Sequence, residues 1–209
     1  MNVLIADDHA IVREGLKQII LDTFGDGTIR QAGTGQAALE AVRAEAWDLV
    51  ILDLNMPDKD GLEVLKDALA LRPRLPVIVL SFHPEDQYAV RAFKAGARAY
   101  LSKETAPDQL VAAIKTVLAG RKYVSAALAE RLVGDLTGET DRALHEALSD
   151  RELQVLRLLG SGKTVSEIAD QICLSVKTVS TYRARLLEKL QLTTTAQLIR
   201  YALDHKLVE

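Results

Sequence analysis

The apolar positions of residues 1–120 alternate between short continuous runs and longer stretches with helical spacing. The short runs predict five β-strands, at Asn2–Ala6, Thr28–Ala32, Leu49–Asp53, Val77–Ser81 and Ala99–Ser102. The longer stretches predict a helix after each strand, near residues 10–23, 35–44, 61–71, 85–95 and 106–119. The third and fourth strands are almost entirely apolar, as expected for strands covered on both faces. Five successive strand–helix units predict an α/β fold with a doubly wound, five-stranded parallel sheet.

The pattern changes after residue 120. A short helical stretch at residues 126–132 leads into an acidic segment with glycine and threonine, which is typical of a linker. From residue 149 onward the spacing predicts four helices, at residues 150–159, 165–171, 176–190 and 195–204. Ser175 is a simple N-cap for the third, and the other three begin with capping boxes that pair Ser149 with Glu152, Thr164 with Glu167 and Thr194 with Gln197. We therefore expect a first domain at 1–120, a linker at 121–147 and a second, smaller all-α domain at 148–209.

Composition supports two domains without pointing strongly to one partner. A chain of 209 residues is long for one compact domain and short for three. The net charge is −3, but residues 149–209 alone are net basic, with 9 Lys and Arg against 7 Asp and Glu. This excess is a weak indication that the second domain contacts nucleic acid.

The cysteine content and the apolar runs bear on location. The single cysteine, Cys173, rules out a disulfide within one chain and fits a reducing compartment; we expect it to be a small core residue. No apolar run approaches the roughly 18 residues that span a bilayer, and the first residues do not resemble a signal peptide. The sequence predicts a soluble cytoplasmic protein without a membrane partner.

Polar residues mark the ends of four of the five predicted strands. Asp7 and Asp8 end the first strand, Asp53 ends the third, Ser81 ends the fourth and Lys103 follows the fifth. Each alone would be an ordinary loop residue, but the carboxyl ends of parallel strands meet at one edge of the sheet. Carboxylates this close repel one another and are costly to bury unpaired, which predicts a bound cation. Mg²⁺ suits carboxylate oxygens and leaves room for a phosphoryl oxygen.

These residues and their neighbours resemble the receiver family over about the first 120 residues. The resemblance rests on Asp7-Asp8, on Asp53 with Met56-Pro57 and Asp60-Gly61, on Ser81, and on Tyr100-Leu101-Ser102-Lys103. It implies a flavodoxin-like receiver in which Asp53 accepts a phosphoryl group from the phosphohistidine of a sensor histidine kinase.

The resemblance also implies a role for each neighbour of Asp53. Asp8 and Asp53 would hold Mg²⁺ through their side chains, Asn55 through its backbone carbonyl and Asp7 through a water molecule. Ser81 and Lys103 would bind phosphate oxygens. Tyr100 would be an aromatic switch that turns inward when Ser81 moves toward the phosphate, although an ordinary, partly buried strand tyrosine is the simpler interpretation.

Position 82 departs from the receiver pattern. Receivers usually have a small residue, most often alanine, after the phosphate-binding serine, whereas this chain has Phe82. A phenyl ring beside Asp53 would narrow the approach of phosphodonors and of water if it points toward the site. We therefore expect Phe82 to act as an access gate.

The helix predicted at residues 176–190 is amphipathic. Its apolar face carries Val176, Val179, Leu186, Leu187 and Leu190. Its polar face carries Lys177, Thr178, Thr181 and Arg185. A solvated polar face is the simplest interpretation of this pattern taken by itself.

Residues 148–208 as a whole resemble the LuxR-type DNA-binding domain. The matching residues are Leu148-Ser149, Arg151-Glu152, Val155-Leu156, Gly162, Glu167-Ile168-Ala169, Ser175, Thr178-Val179 and Lys189-Leu190. With a receiver in front, the architecture resembles the NarL/FixJ class of response regulators.

The resemblance makes residues 176–190 the recognition helix of a four-helix helix-turn-helix domain, entering the major groove of double-stranded DNA. The residues on its polar face, Lys177, Thr178, Thr181 and Arg185, would then contact bases or phosphates. The family pattern adds Ser180 and Tyr182, although the family often has histidine where this chain has Tyr182. Arg183, at the edge of the apolar face, would reach a flanking phosphate. The helix at 195–204 would be a dimer contact, and packing against the other helices is a second, compatible role.

Together the sequence predicts a transcription regulator that a histidine kinase phosphorylates on Asp53 and that binds paired DNA half-sites as a homodimer. It would take part in its own phosphorylation and dephosphorylation but would not be a turnover enzyme. One alternative is a phosphatase with a nucleophilic aspartate, but those enzymes place the nucleophile after the first strand and a second Asp two residues later, where this chain has Asn55. The other is a phosphorylation-independent DNA-binding regulator with a vestigial receiver.

Overall fold

The structure is a computed structural model that describes residues 1–82, 85–104, 106–126, 128–130, 144–205 and 207–208. For residues 85–87, 107, 108 and 146 it describes the backbone only. The chain divides into two compact units, Met1–Thr140 and Asp141–Glu209. Of the short helix predicted at 126–132, residues 126 and 128–130 are described and helical, and most of the predicted linker segment after them lies outside the described residues.

The first unit contains a five-stranded sheet in which every pairing is parallel. Its strands are β1 (Asn2–Ala6), β2 (Thr28–Ala32), β3 (Leu49–Asp53), β4 (Val77–Ser81) and β5 (Ala99–Ser102). They lie in the order β2-β1-β3-β4-β5, so that β1 pairs with both β2 and β3. The predicted doubly wound parallel sheet is confirmed.

Five helices alternate with the strands: α1 (Ala10–Phe24), α2 (Gly35–Ala44), α3 (Gly61–Leu71), α4 (Glu85–Lys94) and α5 (Ala106–Leu118). One face of the sheet packs against α1 and α5, where residues such as Ile20 and Ile114 join Val3, Ile51 and Ile78 in a single core. Alternate strand residues point to the opposite face, and α2, α3 and α4 contact β1, β3 and β5. Every residue of β3 and β4 is buried, as their apolar sequences predict.

The start of α3 lies directly against the backbone that follows the central strand. A Cβ atom on Gly61 would come within 2.4 Å of Leu54 Cα and 2.5 Å of the Asp53 carbonyl oxygen, so that only glycine fits. Asp60 caps the helix by accepting a hydrogen bond from the Leu62 backbone N–H at 2.8 Å. The segment after Asp53 is therefore held in one position by its own sequence.

The second unit is helical in its described part. A short 3₁₀ helix (Leu144–Ala147) precedes α6 (Asp150–Gly160), α7 (Val165–Gln171), α8 (Val176–Lys189) and α9 (Thr195–Asp204). All three predicted capping boxes form, and Ser175 caps α8. The buried core draws on all four α-helices, with Leu153, Leu156, Ile168, Val179, Leu186, Leu198 and Ala202. The four predicted helices are thus confirmed.

One prediction about a side chain in this unit is wrong, and one residue of a predicted apolar face is exposed. Cys173 is exposed and is not part of the core. It has a φ of 53° in the turn that follows α7, and this left-handed conformation directs its side chain to solvent. Val176 is 50% exposed because it is the first residue of α8, whereas the buried face of that helix begins at Val179.

None of the described helices is both long enough and apolar enough to cross a bilayer.

Candidate functional site

The polar residues at the strand ends converge as predicted. The strand register places Ala6 beside Leu52 and Asp53 beside Leu80, so that the residues following β1 and ending β3 and β4 lie at one level. Asp7, Asp53 and Ser81 are buried there. The structure thus gathers three polar side chains at the carboxyl edge of an apolar sheet.

Lys103 holds the two buried carboxylates together. Its Nζ lies 2.7 Å from Asp7 Oδ2 and donates a hydrogen bond to Asp53 Oδ2 at 2.8 Å, and its side chain is only 4% exposed. Its backbone N–H donates to the Ser81 carbonyl oxygen at 2.8 Å, which fixes the loop after β5 against the end of β4. One buried lysine faces two buried carboxylates, so the cluster has an excess of negative charge.

The surroundings of Asp53 change its acidity. Burial raises the pKa of the Asp53 carboxyl group, and the charge of Asp7 raises it further. Lys103 and the Asn55 backbone N–H, which donates to Asp53 Oδ1 at 3.1 Å, act in the opposite direction. The resulting pKa is about 6, against an ordinary value of 3.8. At neutral pH Asp53 is therefore largely ionised, the form that a carboxylate nucleophile needs.

Four residues offer ligand atoms for a metal ion at this edge. Oxygen atoms of Asp7, Asp8 and Asp53 and a ring nitrogen of His9 all lie within 4.8 Å of one another. Asp7 Oδ2 is buried and makes an ion pair but no hydrogen bond with Lys103. The donor set and its uncompensated negative charge fit a hard divalent cation.

His9 also lies at this site, although its position was not predicted from the sequence. The His9 Nδ1 atom lies 2.6 Å from Asp8 Oδ1 and 3.2 Å from Asp7 Oδ1, and its backbone N–H donates to Asp7 Oδ1 at 2.8 Å. The available signal was its position in the chain, directly after the acidic pair and just before α1.

Phe82 points toward the site, although its ring is 52% exposed. The ring centroid lies 4.6 Å from Lys103 Nζ, within the range of a cation–π interaction. The same ring makes an edge contact with His9, with the centroids 5.8 Å apart. The geometric condition for an access gate is met, and gating itself stays a prediction.

Tyr100 and Asn55 occupy contrasting positions. Tyr100 lies on β5, beside Val79 of β4, and its side chain is buried. Asn55 is exposed and contacts Asp53 through its backbone N–H. The proposed switch and metal-binding roles of these residues stay predictions.

The loop between β3 and α3 is anchored by a residue that the sequence analysis did not single out. The carboxylate oxygens of Asp58 accept hydrogen bonds from the backbone N–H groups of Gly35 and Gln36, each at 2.8 Å. Asp58 thereby adds a second cap to α2, besides the one that Thr34 provides. The loop that follows Asp53 is tied to a neighbouring helix as well as to α3.

In the second unit, α8 presents a polar face to solvent. Lys177, Thr181 and Arg185 are exposed, while Val179 and Leu186 are buried on the opposite face. Three further predicted contact residues are partly buried: Thr178, Ser180 and Tyr182. The exposure of Lys177, Thr181 and Arg185 agrees with the predicted polar face, and contact of these residues with DNA stays a prediction.

Arg183, which the sequence analysis placed at the edge of the apolar face, is half-buried. Its Nε atom is buried and has no hydrogen-bond partner in the described part of the chain. A position at the border between core and surface is consistent with that placement, and contact with a flanking phosphate stays a prediction.

An ion pair between buried Glu152 and partly exposed Lys189 links two helices of this unit. Glu152 near the start of α6 is buried, and its Oε2 atom accepts hydrogen bonds from Ser149 and from Lys189 Nζ, the latter at 2.7 Å. Burial alone would raise the pKa of Glu152, but the hydrogen bonds from Lys189 and Ser149 outweigh it and the net pKa is lowered. The pair joins the first turn of α6 to the last turn of α8.

The parallel sheet with its acidic edge and the helical unit that follows each match a known family. The family model of the response regulator receiver domain matches residues 3–115, and that of bacterial regulatory proteins of the luxR family matches residues 146–202. The response regulator UvrY of Escherichia coli K12 is 34% identical over 208 residues, which cover 99% of this chain and 95% of UvrY. The response regulator GacA of Pseudomonas aeruginosa is 34% identical over 210 residues, which cover 100% of this chain and 98% of GacA.

Solved structures give the same result. RcsB from Salmonella enterica serovar Typhimurium, bound to the promoter rprA in the presence of the phosphomimetic BeF3-, matches with a TM-score of 0.69 and 26% identity, covering 96% of this chain and 98% of that one. The chain belongs to the response regulators of the NarL/FixJ class, in which a receiver domain is followed by a LuxR-type DNA-binding domain. This is a family of transcription regulators and not of metabolic enzymes.

Proposed function

We propose that the protein is a phosphorylation-dependent transcription regulator. A sensor histidine kinase transfers a phosphoryl group to Asp53, and the phosphorylated chain binds double-stranded promoter DNA as a homodimer through α8. The observation that carries the proposal is the buried, ionisable Asp53 held 2.8 Å from Lys103 at the edge of the sheet. We place the receiver at residues 1–120, the linker at 121–147 and the DNA-binding domain at 148–209, and we expect the protein to act in the cytoplasm.

The phosphorylation step uses Asp53 as a nucleophile. A carboxylate oxygen attacks the phosphorus of the phosphohistidine, the phosphorus–nitrogen bond breaks, and the imidazole leaves with its electron pair as an acyl phosphate forms. Such a transfer depends mostly on positioning and on neutralisation of charge. Lys103 already lies beside Asp53 and would neutralise the phosphoryl oxygens, with the Ser81 hydroxyl as a further contact.

The fit of the acidic edge to a hard cation supports Mg²⁺ as the cofactor. Asp8 and Asp53 would hold it through their side chains, Asn55 through its carbonyl oxygen and Asp7 through water. When bound, Mg²⁺ would supply positive charge to the transferred phosphoryl oxygens. Tyr100, buried beside β4, would respond to the movement of Ser81 toward the phosphate.

The exposed face of α8 supplies the DNA contacts. Lys177 and Arg185 would contact phosphates or base edges, and the remaining contacts would come from Thr178, Ser180, Thr181 and Tyr182. Basic contacts set the affinity and its dependence on salt, while contacts to base edges set the sequence preference. The DNA-bound form of RcsB noted above supports this role for the corresponding domain here.

Phosphodonor treatment tests the proposal. The wild-type chain, incubated with Mg²⁺ and acetyl phosphate, should gain one phosphoryl group on Asp53 by mass spectrometry and should bind promoter DNA more tightly. Asp53→Asn should fold but gain neither, because an amide cannot form an acyl phosphate. Asp26→Asn, which removes an exposed carboxylate of the same unit, is the matched control and should behave as wild type.

Two results would favour the alternatives. Equal DNA binding by wild type and Asp53→Asn that phosphodonor does not change, with no adduct in either, would indicate a phosphorylation-independent regulator with a vestigial receiver. Sustained hydrolysis of added phosphomonoesters would indicate a phosphatase.

A further inference from the structure

His9 and Lys103 both contact Asp7 at the acidic edge of the sheet. The two oxygens of Asp7 divide between these neighbours, because Oδ2 pairs with Lys103 Nζ at 2.7 Å and Oδ1 lies 3.2 Å from His9 Nδ1. His9 Nδ1 is also 2.6 Å from Asp8 Oδ1. The His9 imidazole therefore contacts both members of the acidic pair, Asp7 and Asp8, through carboxylate oxygens that Lys103 does not contact.

The His9 imidazole is positioned for this site and not for the helix that follows it. His9 is the N-cap residue of α1, but its side chain makes no capping hydrogen bond. The edge contact with the Phe82 ring, at an interplanar angle of 77°, packs against its other side. The His9 side chain is 51% exposed, so a cation from solvent can reach it.

An imidazole changes which metal ions a carboxylate site prefers. Mg²⁺ takes oxygen ligands and gains little from a nitrogen atom. Ni²⁺ and Zn²⁺ bind imidazole well, and their affinity for sites with mixed nitrogen and oxygen ligands exceeds that of earlier divalent ions such as Mn²⁺. The His9 nitrogen atom lies within 4.8 Å of three carboxylate ligands. It should therefore raise the affinity of the site for these transition-metal ions more than its affinity for Mg²⁺.

We propose that His9 is a nitrogen ligand through which the phosphorylation site also binds transition-metal ions such as Ni²⁺. The proposal rests on the proposed metal site, because the ion would share Asp8 and Asp53 with Mg²⁺. The two ions therefore compete for these carboxylates, and the His9 nitrogen favours the transition-metal ion.

The affinities of the full-length chain for Ni²⁺ and for Mg²⁺ test this assignment. Isothermal titration calorimetry gives the ratio of the two affinities for wild type, His9→Ala and His205→Ala. His205 is the matched control because its ring lies in the second unit, 5.2 Å from that of His145, where another imidazole pair is found. Loss of even an outer-shell partner of a metal ligand typically costs about 10- to 100-fold in affinity. The ratio of Ni²⁺ to Mg²⁺ affinity should fall at least roughly 10-fold in His9→Ala and stay unchanged in His205→Ala.

A spectroscopic measurement identifies the ligand directly. Pulsed electron paramagnetic resonance of bound Cu²⁺, which also favours imidazole, should show a coordinated histidine nitrogen in wild type and His205→Ala but not in His9→Ala. An unchanged affinity ratio in His9→Ala would overturn the proposal. So would loss of the nitrogen signal in His83→Ala alone, since His83 also lies close to the site in the sequence. A wild-type chain that binds Ni²⁺ through His9 but shows no phosphorylation of Asp53 would contradict the proposed function and leave the His9 assignment supported.

Discussion

Asp53 is a buried charge that its surroundings only partly neutralise. Its pKa of about 6 lies above the ordinary 3.8, so the folded receiver binds the proton more tightly than the unfolded chain does. The stability linked to this group is fully present below about pH 4 and is lost as the pH rises through about 6. At neutral pH the ionised Asp53 therefore destabilises the metal-free receiver.

Asp53→Asn should accordingly stabilise the receiver at pH 7 in the presence of a chelator, by on the order of 2 kcal/mol. The gain should shrink as the pH falls and vanish near pH 4. Denaturant unfolding of wild type and variant at several pH values measures it, with Asp26→Asn as the control. A variant no more stable than wild type at pH 7 would mean that Lys103 compensates the buried charge fully.

Phe82 lies over the lysine that would bind the phosphoryl group. Phe82→Ala should accelerate both phosphorylation by phosphoramidate and loss of phosphate, because both reactions need access to Asp53. The acceleration should stay below the roughly 10²-fold at which acid–base catalysis begins. Since the ring is 52% exposed, the free energy of unfolding should change by less than about 1 kcal/mol.

Phe82→Leu separates bulk from the interaction with Lys103. Leucine keeps most of the bulk but removes the cation–π contact. If Phe82 gates the site sterically, Phe82→Leu should react at nearly the wild-type rates. Rates in Phe82→Leu equal to those of Phe82→Ala would assign the effect to the aromatic face, and unchanged rates in both would exclude gating.

The sequence was sufficient to predict the positions of those site residues that depend only on the topology of the sheet. Asp7, Asp53 and Ser81 converge because the ends of parallel strands must meet. His9 could not be placed in this way, because its contact with Asp8 depends on the orientation of one side chain. The prediction that Cys173 is a core residue was wrong for a related reason. Its apolar neighbours in the sequence do not reveal that Cys173 is exposed and lies in a left-handed turn.

The Glu152–Lys189 pair links two helices of the DNA-binding unit. The lowered pKa of Glu152 means that the ionised carboxylate is favoured in the folded state. The stability it contributes is present above the unfolded pKa near 4.5 and is lost as the pH falls through the lower, folded value. The pH dependence of this element is thus opposite in sign to that of Asp53.

Glu152→Gln should destabilise this unit at pH 7 by about 1–3 kcal/mol, because the amide cannot accept all the hydrogen bonds that the carboxylate does. Lys189→Met should lower the free energy of unfolding by less than the loss of a fully buried ion-pair partner would, because Lys189 is partly exposed. Thermal unfolding of the full-length chain at pH 7 and pH 3.5 measures both. A destabilisation by Glu152→Gln that is as large at pH 3.5 as at pH 7 would argue against an ionic contribution.

The exposed face of α8 should contribute to binding without contributing to folding. Thr181→Ala and Arg185→Ala should each weaken promoter binding, by roughly 1–3 kcal/mol where the side chain reads a base edge. If Arg185 contacts a phosphate instead, its loss should reduce the slope of log affinity against log salt by about 1. Arg43→Ala, which removes an exposed arginine from the first unit, is the control for the change in charge.

Fluorescence anisotropy with promoter DNA at several salt concentrations measures these effects, and thermal unfolding of the same variants checks the fold. A marked loss of melting temperature in Thr181→Ala would show that the helix is oriented differently. Wild-type affinity in both α8 variants would exclude this face as the DNA contact.

Helix starts in this chain were more predictable than short irregular elements. Each start from α6 to α9 has a side-chain cap that is visible in the sequence, and all of these caps form. The 3₁₀ helix at Leu144–Ala147 was not predicted, because four residues are too few to show a hydrophobic period.

Phosphorylation of the first unit is expected to change the assembly state of the chain. Acetyl phosphate should shift the wild-type protein from monomer toward dimer in sedimentation velocity, and Asp53→Asn should stay unchanged at the same concentration. Asp26→Asn is again the control. Equal dimerisation of wild type and Asp53→Asn without phosphodonor would separate assembly from phosphorylation.

The position of β1 inside the sheet has a consequence for synthesis of the chain. The strand β1, which leads to Asp7, pairs with both β2 and β3. It therefore lacks one of its two neighbouring strands until Leu49–Asp53 have left the ribosome. Translation adds about 5–20 residues per second, so the 69 residues of Asp141–Glu209 take roughly 3–14 s after the first unit is complete. A mixed α/β domain typically folds within about a second. The nascent chain is therefore expected to have a finished receiver, with Asp53 already in place, before its last helices are translated.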